Sequence, residues 1–164
     1  MQIEEVKSIT EEIDQLAGLL VEVVNDGASI GFLPPLNQVQ AKEYWQTAFS
    51  PSVILLIARQ NDEIAGSVQI ALCTKPNGRH RAEICKLMTA PAFRRQGIAR
   101  LLMQQALQRA KQASRSLLVL DTREGDPSNL LYTSLGFREA GRIPAYAESA
   151  NGELDATVFY YQYL

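Results

Sequence analysis

Apolar positions along this chain switch between two periods. Ile13, Leu16, Ala17, Leu20, Val21 and Val24 recur at steps of three and four, which predicts an amphipathic helix opening near Thr10–Glu12 and closed by Gly27. A brief strand-like piece, Ile3 to Val6, precedes it. A second helix is predicted near Gln38 to Phe49, with Val39, Lys42, Glu43 and Trp45 mixed along it and Trp45 at its core or rim. The period then shortens. Val53 to Ala58 is a continuous apolar run of strand length, residues 60–63 read as a turn, and Ile64 to Cys73 as a second strand. Pro76-Asn77-Gly78 forms a loop leading into a third strand, Arg81 to Thr89. Three such runs joined by short turns predict an antiparallel meander.

After this meander the helical period returns. Ala99, Leu102, Met103, Ala106 and Ala110 make one broad stripe on a helix beginning at Gly97. Leu117 to Leu120 is a short apolar strand suited to the middle of a sheet. Asp126-Pro127 predicts a helix opening with an acid at the cap and proline in the first turn, and Gly136 predicts its end. Phe137 to Tyr146 and Leu154 to Tyr163 read as two strands around a turn at Asn151-Gly152. A helix long enough for a crossover separates strands 81–89 and 117–121, so these two should lie side by side and parallel. The expected fold is α/β of the α+β type: a mostly antiparallel mixed sheet with a central parallel strand–helix–strand unit and flanking helices. The interval from Ala28 to Leu36 is apolar yet broken by Gly31, Pro34 and Pro35, so it should be a packed-down loop.

Composition narrows the class further. A chain of 164 residues, 46% hydrophobic and 21% charged, suits one globular domain spanning 1–164. A net charge of −2 offers no basic surface for nucleic acid or an anionic membrane. Cys73 and Cys85 are too few for a disulfide framework, and with one histidine they make no ordinary zinc site. They read as buried thiols in a reducing cytoplasm. No leader and no apolar run of about 18 residues is evident, so a cytoplasmic, membrane-free protein is expected.

The densest chemical signal is the join Arg94-Arg95-Gln96-Gly97-Ile98-Ala99 with Arg100. Three arginines crowd a helix start whose dipole disfavours cations. That arrangement makes sense where an anion sits on the free N–H groups, with Gly97 letting it approach the backbone. The order Arg94-x-x-Gly97-x-Ala99 after the strand Leu87-Met88-Thr89, with Tyr132-x-x-Leu135-Gly136-Phe137 further on, resembles the GNAT (Gcn5-related) N-acetyltransferases over roughly residues 53–163. The resemblance implies an enzyme using acetyl-CoA, its pyrophosphate on residues 94–100. It also implies that strands 81–89 and 117–121 splay apart. The pantetheine arm then enters the wedge and pairs with the backbone of Leu87, Met88 and Thr89. Segment 28–36 would help wall the acceptor site.

Acetyl transfer from a thioester to an amine needs a base for the amine, stabilisation of the thioester oxygen and a proton for the leaving thiolate. Tyr132 is the candidate acid. It lies about 100° around its helix from Leu131, where its ring can flank the core with the hydroxyl free. Glu83 and Asp121 are the candidate bases. Alternation along strand 81–89 puts Glu83, Cys85, Leu87 and Thr89 on one face and Lys86 and Met88 on the other. Glu83 stands fourteen residues before Gly97, where histone-type members of the family carry their base. Asp121 ends an apolar strand, and a carboxylate at such a lip should have a raised pKa. Without a catalytic role, each would be an acid at a strand end paired with a group such as Arg81 or Arg123.

One departure stands out. Many members carry an asparagine seven residues before the tyrosine, and here that position is Gly125. Asn129, one turn before Tyr132, does not inherit the role. Leu120 to Gly125, RAEICKLM upstream and Ala156 to Tyr161 resemble the branch containing the tabtoxin resistance acetyltransferase, which implies a small, amino-acid-like or antibiotic-like amine as acceptor and leaves room for a homodimer. Protein or peptide acetylation and a non-catalytic acyl-CoA-binding module are the rival readings. A dinucleotide-binding fold is disfavoured because Gly-x-Gly-x-x-Gly is absent.

Overall fold

The computed structural model covers residues 1–164. The chain runs β1 (Gln2–Glu5), α1 (Ile13–Asn25), α2 (Gln38–Ala48), β2 (Val53–Gln60), β3 (Glu63–Leu72), β4 (Arg81–Thr89), α3 (Ile98–Gln112), β5 (Leu117–Arg123), α4 (Ser128–Ser134), β6 (Arg138–Glu148) and β7 (Leu154–Tyr163). One seven-stranded sheet has the order β1-β2-β3-β4-β5-β7-β6. Every neighbouring pair is antiparallel except β4 and β5, which α3 joins as a parallel crossover. The expected meander and central parallel unit are both present.

Alternation explains how one sheet carries two cores. Ile54, Leu56 and Ala58 of β2 point to one face, where Ile98, Leu102, Met103, Ala106 and Ala110 of α3 meet them. Leu55 and Ile57 point to the other, against Leu16, Leu20 and Val24 of α1 and Trp45 of α2. A strand buried on both sides loses the polar alternation of a surface strand, hence the unbroken apolar run. Trp45 is a core residue, 1% exposed, and its Nε1 donates to the Leu16 carbonyl at 3.0 Å. Asn37 caps α2 reciprocally with Gln40.

Two local expectations change. Asp126 does not cap α4: its carboxylate pairs with Arg123 at 3.0 Å, and the helix begins at Ser128 without a side-chain cap. The two cysteines are free thiols, partly rather than fully buried. Segment 28–36 is packed down as expected, with Leu36 buried and Ile30 and Phe32 against the α1/α2 core. No helix is long and apolar enough to cross a membrane.

Candidate active site

The site begins where two strands part. The β4/β5 ladder holds only Arg81 to Leu117, Ala82 to Leu118 and Glu83 to Val119, although both strands continue. Beyond Glu83, the edge of β4 that faces β5 therefore has no strand partner, and this edge includes Leu87, Met88 and Thr89. Backbone groups left unpaired inside a protein need another hydrogen-bonding partner.

A bulge re-aims β4 inside this wedge. Lys86 has φ +54, and the register with β3 shifts between Ser67 and Gln69. Strict alternation fails there, since an extra residue in one strand reverses the faces that follow. Ala82 and Ile84 pack in the α3-side core, whereas Met88 packs in the α1/α2-side core and Leu87 against the α3 side. Lys86 accordingly joins Glu83 and Cys85 rather than opposing them, and Leu87 leaves their face. Its Nζ stands 5.9 Å from the ring centre of Phe32 and 5.7 Å from that of Tyr44.

On this α1/α2 side a cleft of about 300 Å³ is lined by Ser29 to Gly31, Glu83 to Lys86, Asp121 to Arg123 and parts of β6 and β7. Both candidate bases therefore open onto one cavity, walled in part by the apolar segment. Burial raises the Glu83 pKa, the nearby Asp121 charge raises it further, and Lys86 opposes the shift. Asp121 accepts a hydrogen bond of 2.8 Å from Thr157 Oγ1. Neither acid is paired with Arg81 or Arg123. Arg123 binds Asp126 and the Ser149 hydroxyl, and Arg81 leans on the Cys73 sulfur. Burial is also the main cause that pushes the Cys85 thiol up to about 11.

Tyr132 occupies the opposite face. It is 6% exposed and belongs to the α3-side core with Ile84 and Leu120, the neighbours of Glu83 and Asp121 whose side chains point the other way. Its ring meets Phe137 edge-on at 5.8 Å and Tyr160 at 6.1 Å. The sequence-based picture of a ring merely flanking the core changes: Tyr132 is more buried than Leu131 or Leu135. Burial, followed by the Asp121 charge, raises its pKa, so the phenol holds its proton at neutral pH. Asn129 accepts from the Tyr160 hydroxyl at 2.8 Å and donates to the carbonyls of Arg123 and Asp126, which fixes it as a structural brace.

The arginine turn lies at the start of α3. Gly97 has φ +77, and α3 has no side-chain cap, so its first N–H groups face outward. Of the three arginines, Arg94 pairs with Asp26 beyond α1 at 2.7 Å, and Arg100 donates to Ser134 of α4 at 2.8 Å. Arg95, at φ +62, is exposed. Gln96 completes the turn, while Ile98 and Ala99 begin the helix.

Residues 16–137 match the acetyltransferase (GNAT) family. The chain belongs to that family. The GNAT fold is shared with solved structures of low sequence identity. Ribosomal-protein-alanine N-acetyltransferase from Brucella melitensis is 16% identical with a TM-score of 0.83, covering 100% of both chains. A protein assigned as a phosphinothricin N-acetyltransferase is 18% identical with a TM-score of 0.84, over 99% of each chain. A Salmonella typhimurium protein described as an acetyltransferase, solved with its cofactor acetyl-CoA, is 15% identical with a TM-score of 0.81, over 99% of this chain and 94% of that one. Within this GNAT framework, sequence reasoning missed Lys86, Thr157 and Tyr146 as members of the cleft. The repeat of two alone places Lys86 on the wrong face, and nothing local marks the β7 and β6 residues that strand pairing brings in.

Proposed function

We propose that this GNAT protein moves an acetyl group from acetyl-CoA to a primary amine of a small molecule by direct transfer. One observation carries this reading: the parting strands have a protonated phenol on one face and two carboxylates on the other. A thioester threaded between β4 and β5 would meet Tyr132 at its sulfur and an amine held by Glu83 and Asp121 at its carbonyl. Leu87, Met88 and Thr89 would pair with the pantetheine arm, and Arg94 to Arg100 would hold the pyrophosphate. Glu83, with its raised pKa, takes the amine proton; Asp121 helps raise that pKa or serves as the base itself. Cys85 supports direct transfer, since a thiol at about 11 holds little thiolate near neutrality and makes a poor acyl carrier. A cleft of about 300 Å³ suits a small acceptor rather than a bound protein tail.

Thiol release from acetyl-CoA, followed with small amines and with peptides, tests this. Small amines should be the better acceptors. Tyr132→Phe keeps the ring and removes only the hydroxyl, which is wanted chiefly as the thiolate leaves. Turnover should fall about 10²-fold, the lower end of general acid catalysis, with little change in KM for acetyl-CoA. A Tyr132→Phe enzyme as fast as the parent in a single turnover would leave the phenol a packing residue.

A further inference from the structure

Lys86 brings a positive charge into the cavity where a protonated amine must dock. The bulge at φ +54 turns it onto the face of Glu83 and Cys85, and its Nζ sits over Phe32 and Tyr44. That Nζ is also 3.5 Å from where a side chain on Gly31 would begin. Two aromatic faces and a glycine thus fix the cation at the wall made by segment 28–36 and α2. No carboxylate pairs with it: none of the ion pairs in the molecule includes Lys86. The other cation of the cleft, Arg123, is already held by Asp126 and Ser149. A fixed, unpaired ammonium facing a cleft is complementary to an anion, and it repels an acceptor that is only cationic.

We propose that Lys86 is a specificity-determining residue that binds a carboxylate on the acceptor, so that the substrate class is a primary amine carrying its own carboxylate. The assignment rests on the acetyl-transfer reading for its meaning. The cavity is then polarised for a zwitterion: the amine lies toward Glu83 and Asp121, and the acid toward Lys86. Phe32 and Tyr44 hold the ammonium by cation–π attraction, which orders its long side chain before the ligand arrives.

Matched pairs of acceptors test the proposal: L-leucine with isoamylamine, L-methionine with 3-methylthiopropylamine, and L-phenylalanine with phenethylamine. In each pair only the carboxylate differs. For the best pair the parent protein should favour the amino acid by roughly 10- to 100-fold in kcat/KM, the order a charge-assisted hydrogen bond carries. Lys86→Met should collapse that ratio toward one, and Lys86→Arg should keep most of it. Thermal melts identify any variant that is unfolded. Calorimetric titration of the same pairs into the coenzyme A-loaded protein reads the preference without chemistry. A ratio near one in the parent, or one that Lys86→Met leaves intact, overturns the proposal. A binding preference that depends on Lys86 without any acetyl transfer upholds the Lys86 assignment and overturns the transfer reading. Transfer with no carboxylate preference does the reverse.

Discussion

At the scale of single residues, Glu83 links protonation to both stability and rate. Its folded pKa lies above the ordinary 4.5, chiefly through burial and then through Asp121. The folded state therefore holds this proton more tightly than the unfolded chain does. Its contribution is fully present below the unfolded value and is lost as pH rises through the folded one. Glu83→Gln removes that loss. The melting temperature of the variant relative to the parent should thus be higher at pH 7 than at pH 4; a difference independent of pH would place Glu83 in open solvent. Turnover should move the other way, falling about 10²–10⁴-fold if Glu83 is the base, with loss of the acidic limb of the pH–rate profile. Tyr132 illustrates the opposite use of burial. There desolvation keeps a phenol protonated, where the same effect makes a carboxylate basic.

At the scale of elements, the β4 bulge and the α3 start show two kinds of backbone control. The bulge at Lys86 and Leu87 sits across from Val68. Two residues earlier on β3, an added Cβ on Gly66 would meet the Met88 carbonyl oxygen at 2.6 Å, so a close approach of β3 and β4 depends on glycine there. Gly97 is different: a Cβ built on it meets nothing within 4 Å, so the protein leaves open space above this left-handed turn. Its positive φ is what a side chain resists, most of all a β-branched one. Gly97→Val therefore combines strain with blockage. Gly97→Asn separates them, because asparagine tolerates this conformation while still filling the space. Both variants should bind acetyl-CoA at least about tenfold more weakly, as expected when charge-assisted hydrogen bonds to a phosphate are displaced, and the asparagine variant should melt near the parent. Parent-like cofactor affinity in Gly97→Asn would place the anion elsewhere. Arg94 and Arg100 meanwhile tie this turn to Asp26 and to α4, so the loop is fastened at both ends.

At the scale of the whole molecule, the sheet lies between two helical layers and opens into a wedge where β4 and β5 separate. A cofactor filling that gap supplies hydrogen bonds that the parted strands lack, and it binds the folded state alone. Acetyl-CoA at a hundredfold excess over its Kd should stabilise by about 2.7 kcal/mol, or roughly 5–10 °C in melting temperature for a chain of this size. Unchanged melting at millimolar acetyl-CoA would count against the wedge as its site.

The sequence by itself determined the elements and the family. Burial faces repeat at 3.6 or 2 residues along the chain, so Leu16, Leu20 and Val24 or the run Val53 to Ala58 declare their structure locally. The arginine turn and the tyrosine motif are likewise contiguous. Only the tertiary structure decided which side chains share the cleft. Strand pairing beyond β5 brought Thr157 to Asp121, across 36 residues of chain. Burial inverted the expected place of Tyr132 in its helix, because the core it joins is assembled from Phe137 and Tyr160 of later segments. Lys86 was the largest reversal. A one-residue bulge leaves no mark in the hydrophobic pattern of its own strand, since it is set by how β3 and β4 fit one another, yet it turns a cation from one face of the sheet to the other.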